Sequence, residues 1–587
     1  MGRKSQGWRP KKILLVIAGG IALVAGAVPA LAAGDTSVPV TVGSPPGPFS
    51  QNKQNEPALA VDASRPNILV AGANEEIDME ACNAGDPTTC PFTPGVGVSG
   101  VYFSFDSGAT WTQPTTYTGL TARDCLGPAA CTAHSGPIGT LPRYYEAGLA
   151  SDGDPAVAFG PQPGANGTFS WANGSRLYYA NLTSNLNAKR SETFKGFEAI
   201  AVSRTDDVAG AAAGNNNAWK APVVISKQSS TVFSDKEQVW ADNSASSPFF
   251  GNVYVCDAAF RGQEKSRNAA PAPLVFVRST DGGETWTQRQ LSGAANNSNN
   301  NPPDGCSIRT DSLGVVYVFG MGTGPNGQTG ELLARSFDGG QTFEPFRFLF
   351  PVVRPGVFDP ALGRPVMDGI AGARVDLAAA PSVDIANGAP SGAGATNELL
   401  INWADGAGGL NNEKSLVRYS MDQGQTWLGP ITASANPDRP FYTAISISPS
   451  GQDAYLVYDA YLAPYQATTT TARPMQAVVK HADIGAGGAP AAFVELNRGA
   501  SGDARGSSQN GLTAEFFGDY VYTVATNDYG SAVWNDVRNG GDCPKIDAYR
   551  AAVEGGPAAP RPAPGTDCPA NFGNTDIYGG SYPDPTP

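Results

Sequence analysis

The sequence predicts an all-β protein, a β-propeller of four-stranded blades, and three observations support this. One eight-residue pattern recurs along the chain, and repeats of this kind are typical of propellers and solenoids. The 587 residues include 71 glycines and 48 prolines, which disfavour long helices. Short runs of β-branched and aromatic residues alternate with turn-forming residues, as expected for one large structure of many short strands.

The first 32 residues have the layout of a secretory signal peptide. Residues 1–12 carry five cations and no acid, residues 13–28 are apolar or glycine, and Ala30-Leu31-Ala32 supplies a small-residue cleavage site. We therefore expect a secreted protein cleaved before Ala33, with an uncleaved N-terminal anchor as the alternative. No later stretch has the about 20 apolar residues of a membrane-spanning helix.

The chain is acidic, with a formal net charge of −14 that becomes more negative once the leader's five cations are removed. Such a surface excludes nucleic acid as a partner, because phosphates require a basic footprint. It is compatible with cationic or metal ligands and equally with simple solubility. We expect a monomer whose partner is a glycan or another extracellular ligand.

Eight cysteines in an exported chain predict disulfides. Cys256 and Cys306 fall on neighbouring repeat units, either bridged or separately buried. The spacings do not match a zinc site. The other pairs expected from proximity are Cys82 with Cys90, Cys125 with Cys131, and Cys543 with Cys568.

The recurring pattern is Ser-x-Asp-x-Gly-x-Thr followed by Trp or Phe, and it begins at Ser104, Ser279, Ser336 and Ser420. A degenerate fifth copy begins at Ser203. In each copy the Asp can bond the amides of its own turn, Gly permits a backbone angle that other residues resist, and the aromatic opens the returning strand. The pattern is therefore a stabilised hairpin turn, with the structural aspartates Asp106, Asp281, Asp338 and Asp422.

These four segments resemble the Asp box, or BNR repeat, of the sialidase superfamily. The resemblance implies a sialidase-like propeller over residues 33–552, followed by a Pro- and Gly-rich C-terminal tail, 553–587, held by Cys543–Cys568. Seven units are predicted, the last closed by a strand near residues 38–42. Six blades, the number in sialidases, is the alternative. The units begin at Glu56, Asp154, Glu237, Asp304, Asp368, Asp438 and Asp519.

An acid at almost every blade entry predicts a ring of carboxylates on the propeller axis. Neighbouring carboxylates repel, so some must be protonated, paired with arginine or bridged by a cation. No cofactor is required, but Asp304, Asp368 and Asp438 are candidate calcium ligands. The alternative is that each acid only caps its own turn. A long insertion before blade two offers His134, Tyr144 and Tyr145 as a binding surface.

The resemblance also implies an exo-α-sialidase-like glycoside hydrolase, with an arginine triad, a Tyr nucleophile activated by Glu, and an Asp acid/base. One departure counts against sialidase chemistry, because Glu56 stands where the family has the arginine of an Arg-Ile-Pro motif. The arginines near inner strands are Arg309, Arg374 and Arg439, the candidate substrate-binding residues. Fold alone does not decide the chemistry.

Three functional hypotheses follow. The first is a secreted glycoside hydrolase that uses paired carboxylates on the channel rim. The second is a non-catalytic propeller that binds glycans or proteins at the cell exterior, and the third is a calcium-stabilised structural protein. Two histidines in the whole chain exclude a multi-histidine metal centre. For the first hypothesis, the candidate catalytic residues are Glu56, Asp154, Glu237, Asp519 and Tyr520.

Overall fold

The computed structural model describes residues 1–2, 34–82, 93–127, 129–186, 198–226, 232–261, 273–293 and 304–586. Almost all of the predicted signal peptide, and Cys90 of the first predicted disulfide, lie outside these residues. Within the described part of the chain, no helix is long and apolar enough to cross a membrane.

The described strands form seven antiparallel blades around a central axis, and two further hairpins lie between blades. The first strand of each blade is innermost. The N-terminal strand is β1 (Val38–Pro39). Blade one follows, with β2 (Gln54–Val61), β3 (Leu69–Glu75) and β4 (Ser99–Ser104), then the hairpin β5 (Tyr117–Thr121) and β6 (His134–Ile138). Blade two contains β7 (Leu149–Pro163), β8 (Phe169–Asn185), β9 (Ala199–Thr205), the short helix α1 (Val208–Ala212) and β10 (Val223–Val224).

Blades three to five have four strands each. Blade three contains β11 (Val232–Ala241), β12 (Val253–Arg261), β13 (Leu274–Ser279) and β14 (Thr287–Gln290). Blade four contains β15 (Asp304–Thr310), β16 (Val316–Thr323), β17 (Thr329–Ser336) and β18 (Arg347–Pro351), and the hairpin β19 (Val357–Asp359) and β20 (Arg364–Val366) follows it. Blade five contains β21 (Ser382–Ile385), β22 (Leu399–Asp405), β23 (Lys414–Ser420) and β24 (Leu428–Thr432).

The last two blades complete the ring. Blade six contains β25 (Arg439–Ile447), β26 (Asp453–Tyr461), β27 (Pro474–Asp483), β28 (Val494–Arg498) and the short β29 (Gly502–Asp503). Blade seven contains β30 (Tyr522–Ala525), β31 (Tyr529–Asp536), helices α2 (Pro544–Val553) and α3 (Pro564–Asp567), and β32 (Asp576–Pro583). The predicted seven blades are therefore confirmed, and six is excluded.

Blade seven is closed by both ends of the described chain. Val38 and Pro39 of β1 pair with Gly579 and Tyr578 of β32, so the N-terminal closing strand is confirmed. The segment after residue 552, predicted as a tail, instead contributes β32 to the propeller. The glycines of this segment suggested a tail, but at least one of them is needed for close packing. A side chain at Gly579 would place its Cβ 2.8 Å from the carbonyl oxygen of Ala532 on β31.

The apolar core lies between adjacent blades. One buried cluster joins Val202 of blade two to Val239 and Val255 of blade three, and Trp286 of an Asp box packs against it. Comparable clusters fill other blade interfaces, and the aromatics Phe343 and Trp427 of two further boxes pack against two of them. Each blade thus buries its faces against its neighbours, as expected for a ring of small sheets.

The Asp boxes stabilise turns as predicted. Ser336 Oγ donates a 2.8 Å hydrogen bond to Asp338 Oδ1, and the amide of Gly340 donates to Ser336 Oγ. The amide and hydroxyl of Thr342 donate to the two oxygens of Asp338 at 2.8 and 2.6 Å. The same geometry occurs around Asp106, Asp281 and Asp422.

The disulfides agree with the predicted pairs where the chain is described. Cys125 bonds Cys131, and Cys543 bonds Cys568. The open question about Cys256 and Cys306 is resolved in favour of a bridge, which ties β12 of blade three to β15 of blade four. Cys82 is disulfide-bonded as well. Disulfides at these positions are consistent with an extracellular protein.

Candidate functional site

Four inner strands enter the propeller through the same backbone irregularity. Strands β2, β7, β11 and β15 each have a break in register near their start. At each break one residue has a left-handed backbone, with φ of 57° at Glu56, 52° at Asp154, 61° at Lys236 and 57° at Gly305. This conformation is unfavourable for side-chain-bearing residues, and such strain clusters at functional sites.

The register of these bulges corrects the predicted entry residue of blade three. The regular pairing resumes at Ala58, Ala156 and Gln238, two residues after Glu56, Asp154 and Lys236 respectively. Lys236 is therefore the counterpart of Glu56 and Asp154, and the predicted Glu237 is one position late. Because bulges re-aim side chains, Lys236 and not Glu237 carries its charge into the centre of the ring.

The bulged residues open into a cavity of about 590 Å³ at the top of the axis, on the face opposite the Asp boxes. Phe233, Phe260 and Phe516 form parts of its walls. Its cationic residues are Lys53, Lys236, Arg364 and Arg374. Its acidic residues are Glu56, Glu76, Asp152, Asp154, Asp235, Asp304, Asp376 and Asp519.

The ammonium group of Lys236 lies among three of these carboxylates. Its Nζ is 2.8 Å from Asp519 Oδ2, 3.2 Å from Asp154 Oδ2 and 3.3 Å from Asp235 Oδ1. Burial disfavours the charged amine, but the surrounding carboxylates outweigh this and raise the pKa of Lys236 well above its ordinary value. The chain itself thus supplies a cation where the sequence suggested a bound calcium ion.

Asp154 is the ionised centre of a carboxyl triad. Its carboxylate is within hydrogen-bonding reach of the carboxyl groups of both Glu56 and Asp235. Burial acts to raise the pKa of Asp154, but Lys236, the hydrogen bond from Glu56 and Arg374 together lower it. Burial and the Asp154 charge raise the pKa of Glu56 well above its usual range.

Asp235 titrates close to neutrality. Burial raises its pKa to about 7, helped by the nearby charges of Asp154 and Asp304 and opposed by Lys236. Asp235 and Asp154 are therefore neighbouring carboxyl groups with opposite protonation states below about pH 7. Environments that separate two carboxyl pKa values in this way are the usual means of assigning a general acid and its ionised partner.

Arg374 holds the other side of the cluster. Its NH2 group lies 2.6 Å from Asp519 Oδ2 and 2.8 Å from Glu56 Oε1, and its guanidinium stacks on the ring of Phe516. Asn74 links two members of the cluster. Its Nδ2 donates to Glu56 Oε2 at 2.7 Å, and its Oδ1 accepts from the amide of Asp154 at 2.6 Å. The acids are held by side chains from several blades and not by their own turns alone.

Other predicted residues line a narrow continuation of the cavity. Glu237, Tyr520 and Arg309 border a space of about 80 Å³ below Lys236 and Asp519. Arg309 Nε is 3.3 Å from Asp384 Oδ1, and its guanidinium stacks on Trp240. Burial raises the pKa of Tyr520 well above its ordinary value, which disfavours a tyrosinate nucleophile. The other candidate at this blade entry, Asp519, bonds Lys236 and Arg374.

The predicted calcium ligands are not brought together. Asp368 accepts from Arg439 NH1 at 2.9 Å, and Asp438 lies 2.9 Å from Arg498 NH2. Asp304 alone borders the cavity. Asp368 and Asp438 are neutralised by arginines of their own surroundings, so the predicted ligand set is wrong, and Arg439 is a buried structural partner.

The insertion before blade two does not place its predicted residues in the cavity. Tyr144 is buried, with its hydroxyl bonded to Asn181 and accepting from Ser203 at 3.1 Å. His134 is exposed, 3.8 Å from Asp124, and Tyr145 is exposed on a short turn. Asp152, at the end of the insertion, does line the cavity.

A separate group of potential metal ligands lies on the bottom of blade six. Ligand atoms of Asp453, His481, Asp483 and Asp584 all fall within 4.8 Å of one another. Calcium prefers oxygen ligands alone, whereas a histidine nitrogen with carboxylates is more typical of zinc and related ions. This group could hold a metal, but it is remote from the cavity.

Lys236, Asp235, Asn74 and Phe516 were missed by sequence reasoning. The available signal was the run Asp235-Lys236-Glu237 within β11, where three consecutive charges are unexpected. Asn74 and Phe516 carry no motif, and their roles depend on contacts between distant parts of the chain.

Comparisons with known proteins describe similarity of architecture. No family model and no curated protein matches the chain. A Hadza microbial sialidase is 14% identical with a TM-score of 0.40, and the match covers 70% of this chain and 63% of that one. The intramolecular trans-sialidase of Ruminococcus gnavus is 11% identical with a TM-score of 0.39, and the match covers 71% of this chain and 93% of that one.

An α-L-arabinofuranosidase of Fusarium graminearum is 11% identical, with a TM-score of 0.36 and coverage of 76% and 96%. The chain thus spans less than two thirds of the Hadza protein but nearly the whole of the other two. Sialidases and sialidase-like proteins are therefore among its structural neighbours, as the Asp boxes predicted. Identities and scores this low describe shape and say nothing about the chemistry of the cavity.

Proposed function

We propose that the chain is a secreted glycan-binding protein and glycoside hydrolase whose active site is the cavity around Asp154, Asp235 and Lys236. The observation that carries this is the cluster of adjacent buried carboxyl groups in an aromatic-walled cavity, where the pKa of Asp235 is raised and that of Asp154 is lowered. Sugar rings pack against aromatic side chains, and glycoside hydrolysis requires one protonated and one ionised carboxyl group.

Each carboxyl group has a definite role in this proposal. Asp235 donates its proton to the glycosidic oxygen while the bond from that oxygen to the anomeric carbon breaks. Asp154, hydrogen-bonded to Asp235, helps to keep that group protonated. A second carboxylate of the lining, about 5–10 Å away on the other side of the sugar ring, attacks that carbon or accepts a proton from the attacking water. Lys236 keeps Asp154 ionised, and Arg374 does the same for Asp519, so both cations are positioning residues.

The experiment is a panel of fluorogenic glycosides, including a sialoside and an arabinofuranoside, assayed with wild-type protein, Asp235→Asn and Asp154→Asn. Glu146→Gln, an exposed acid outside the cavity, is the matched control. We expect turnover of at least one glycoside of the panel other than the sialoside, lost in both cavity variants and retained in the control. Absence of turnover on every substrate contradicts the hydrolase proposal.

One observation favours the non-catalytic alternative. Asp154 and Asp519 are each ion-paired within the chain, and such a closed network also suits a rigid binding surface. Glycan binding without turnover would support this alternative. Calcium stabilisation would have to rely on the blade-six group, and a melting temperature unchanged by a chelator would contradict it.

A further inference from the structure

The charges in the top cavity indicate what kind of sugar it accepts. Acidic residues outnumber cationic ones eight to four along its lining. Even with Glu56 and Asp235 protonated, the lining keeps an excess of negative charge. A cavity of one sign concentrates ligands of the opposite sign and repels those of its own.

Every cation in this lining already has an acidic partner. Lys53 Nζ lies 2.8 Å from Glu76 Oε1, and Arg364 Nε lies 3.5 Å from Asp376 Oδ2. Lys236 and Arg374 are held by the carboxylates of the central cluster, Asp519 being shared by both. A ligand carboxylate would have to compete with these ion pairs, of which only that of Arg364 with Asp376 is substantially exposed, so sugar acids are disfavoured.

Among the residues that the structure describes, two buried carboxylates keep an oxygen without a hydrogen-bond partner. Asp519, 3% exposed, bonds through Oδ2 only, and its Oδ1 has no partner. Glu76, 4% exposed, bonds Lys53 and Asn510 through Oε1, and its Oε2 has none. Both side chains line the cavity, and unpaired buried oxygens of this kind favour a ligand that brings hydrogen-bond donors.

The walls suit a sugar ring better than a simple ion. Phe233 and Phe260 pack with ring centroids 5.9 Å apart on the lining. The volume of about 590 Å³ is that of a pocket for a ligand of several rings, not for an isolated ion. An apolar wall beside unpaired carboxylate oxygens matches a molecule with a C–H face and positively charged donors.

We propose that the cavity selects amine-bearing glycans, sugars with free ammonium groups, over both sugar acids and N-acylated sugars. The ammonium groups interact with Glu76 and Asp519, and the ring faces pack against Phe233 and Phe260. The inference rests on the proposed function only in taking the ligand to be a glycan, and it does not require hydrolysis.

Isothermal titration calorimetry with two oligomer series of equal length tests this proposal. One series contains glucosamine, with free amines, and the other contains N-acetylglucosamine; 3′-sialyllactose and spermidine are the comparison ligands. At a pH near 5.5, where the amines are protonated, we expect at least tenfold tighter binding of the free-amine series. Added salt should weaken that binding, because the contacts are ionic.

Glu76→Gln is the discriminating variant. It removes one carboxylate of the lining and keeps the shape, so we expect affinity for the free-amine series to fall about tenfold, or about 1.4 kcal/mol. Affinity for the acetylated series should not change. Glu146→Gln is again the control, and circular dichroism shows whether Glu76→Gln is folded. If it is not, Asp376→Asn removes the charge of another lining acid and provides the comparison instead.

The outcomes separate this inference from the proposed hydrolysis. Tighter binding of free-amine oligomers without turnover supports the selectivity and contradicts hydrolysis. Turnover with equal or better binding of the acetylated series or of sialyllactose overturns the selectivity and leaves hydrolysis standing. Spermidine binding as tight as that of the oligomers, or no binding of any oligomer, also overturns it.

Discussion

Lys236 and Asp519, 283 residues apart in sequence, meet across the propeller axis with Nζ 2.8 Å from Oδ2. The contact joins the inner strand of blade three to the entry of blade seven. It also neutralises one of several carboxylates that would otherwise repel one another in a largely buried space. Lys236 is therefore as much a part of the fold of the ring centre as of the candidate site.

Replacing Lys236 with Met should destabilise the protein strongly at neutral pH. Asp154 would stay buried without its ammonium partner and Asp519 would keep only Arg374, and breaking a buried pair in this way costs about 3–5 kcal/mol. The free energy of unfolding, measured by urea denaturation, should fall less at pH 5 than at pH 7, because protonation relieves the unpaired carboxylates. Lys545→Met, at a mostly exposed ion pair with Asp567, is the control. An equal loss at both pH values would contradict this explanation.

The proposed hydrolase activity of the wild-type protein should decrease as the pH rises through about 7. Burial raises the pKa of Asp235 to about 7, and the group can donate a proton only below that value. Asp235→Asn should lower kcat by roughly 10²–10⁴, the usual contribution of a general acid. The residual activity of Asp235→Asn should no longer decrease as the pH rises through about 7. An unchanged decrease would assign it to another group.

Asp257→Asn should make the protein more stable at pH 8 and change little at pH 4. Burial raises the pKa of Asp257 to about 7, against a weaker opposing effect of the nearby Ser234 hydroxyl. The folded state therefore holds a proton that the unfolded state releases near pH 4. Stability is full below that pH and decreases up to about pH 7.

The melting temperatures of the two proteins between pH 4 and 8 test this, and their difference should grow with pH. The exposed Asp124→Asn serves as control. A constant difference between Asp257→Asn and wild type would show that the Asp257 carboxyl is already ionised in the fold.

Asp338→Ala should affect stability but not ligand binding. Slight burial opposes ionisation, but hydrogen bonds from the hydroxyl and amide of Thr342 lower the pKa of Asp338 to about 2. Their loss should cost about 1–2 kcal/mol of unfolding free energy, measured by denaturation. Because this Asp box lies on the face opposite the cavity, glycan affinity should stay within error of wild type. A large change in affinity would contradict the division between the two faces.

The repeat pattern was sufficient to predict the architecture, because an Asp box depends on local contacts. Ser, Asp, Gly and Thr within eight residues define the same turn wherever they occur. The blade number followed from aligning the other strands around the boxes into seven units. The boundary at residue 552 failed because composition does not show that Gly579 is needed for close packing against Ala532.

The site was only partly predictable, because its geometry is created by bulges and by contacts between blades. Glu56, Asp154, Asp519 and Arg374 were found as charged residues near strand starts. Lys236 was not, since a one-residue shift of the bulge turns Glu237 away and brings Lys236 inward. The pairing of Asp368 with Arg439 likewise depends on neighbours far away in sequence.

The pairing of β1 with β32 has a consequence for the biogenesis of the protein. During synthesis the first strand emerges more than 500 residues before its partner, so the ring cannot close until translation of β32 is complete. Until then Val38 and Pro39 have no edge to join, and the last blade is incomplete. A nascent chain therefore stays open through almost all of its elongation, a state that an export channel for unfolded polypeptides can accept.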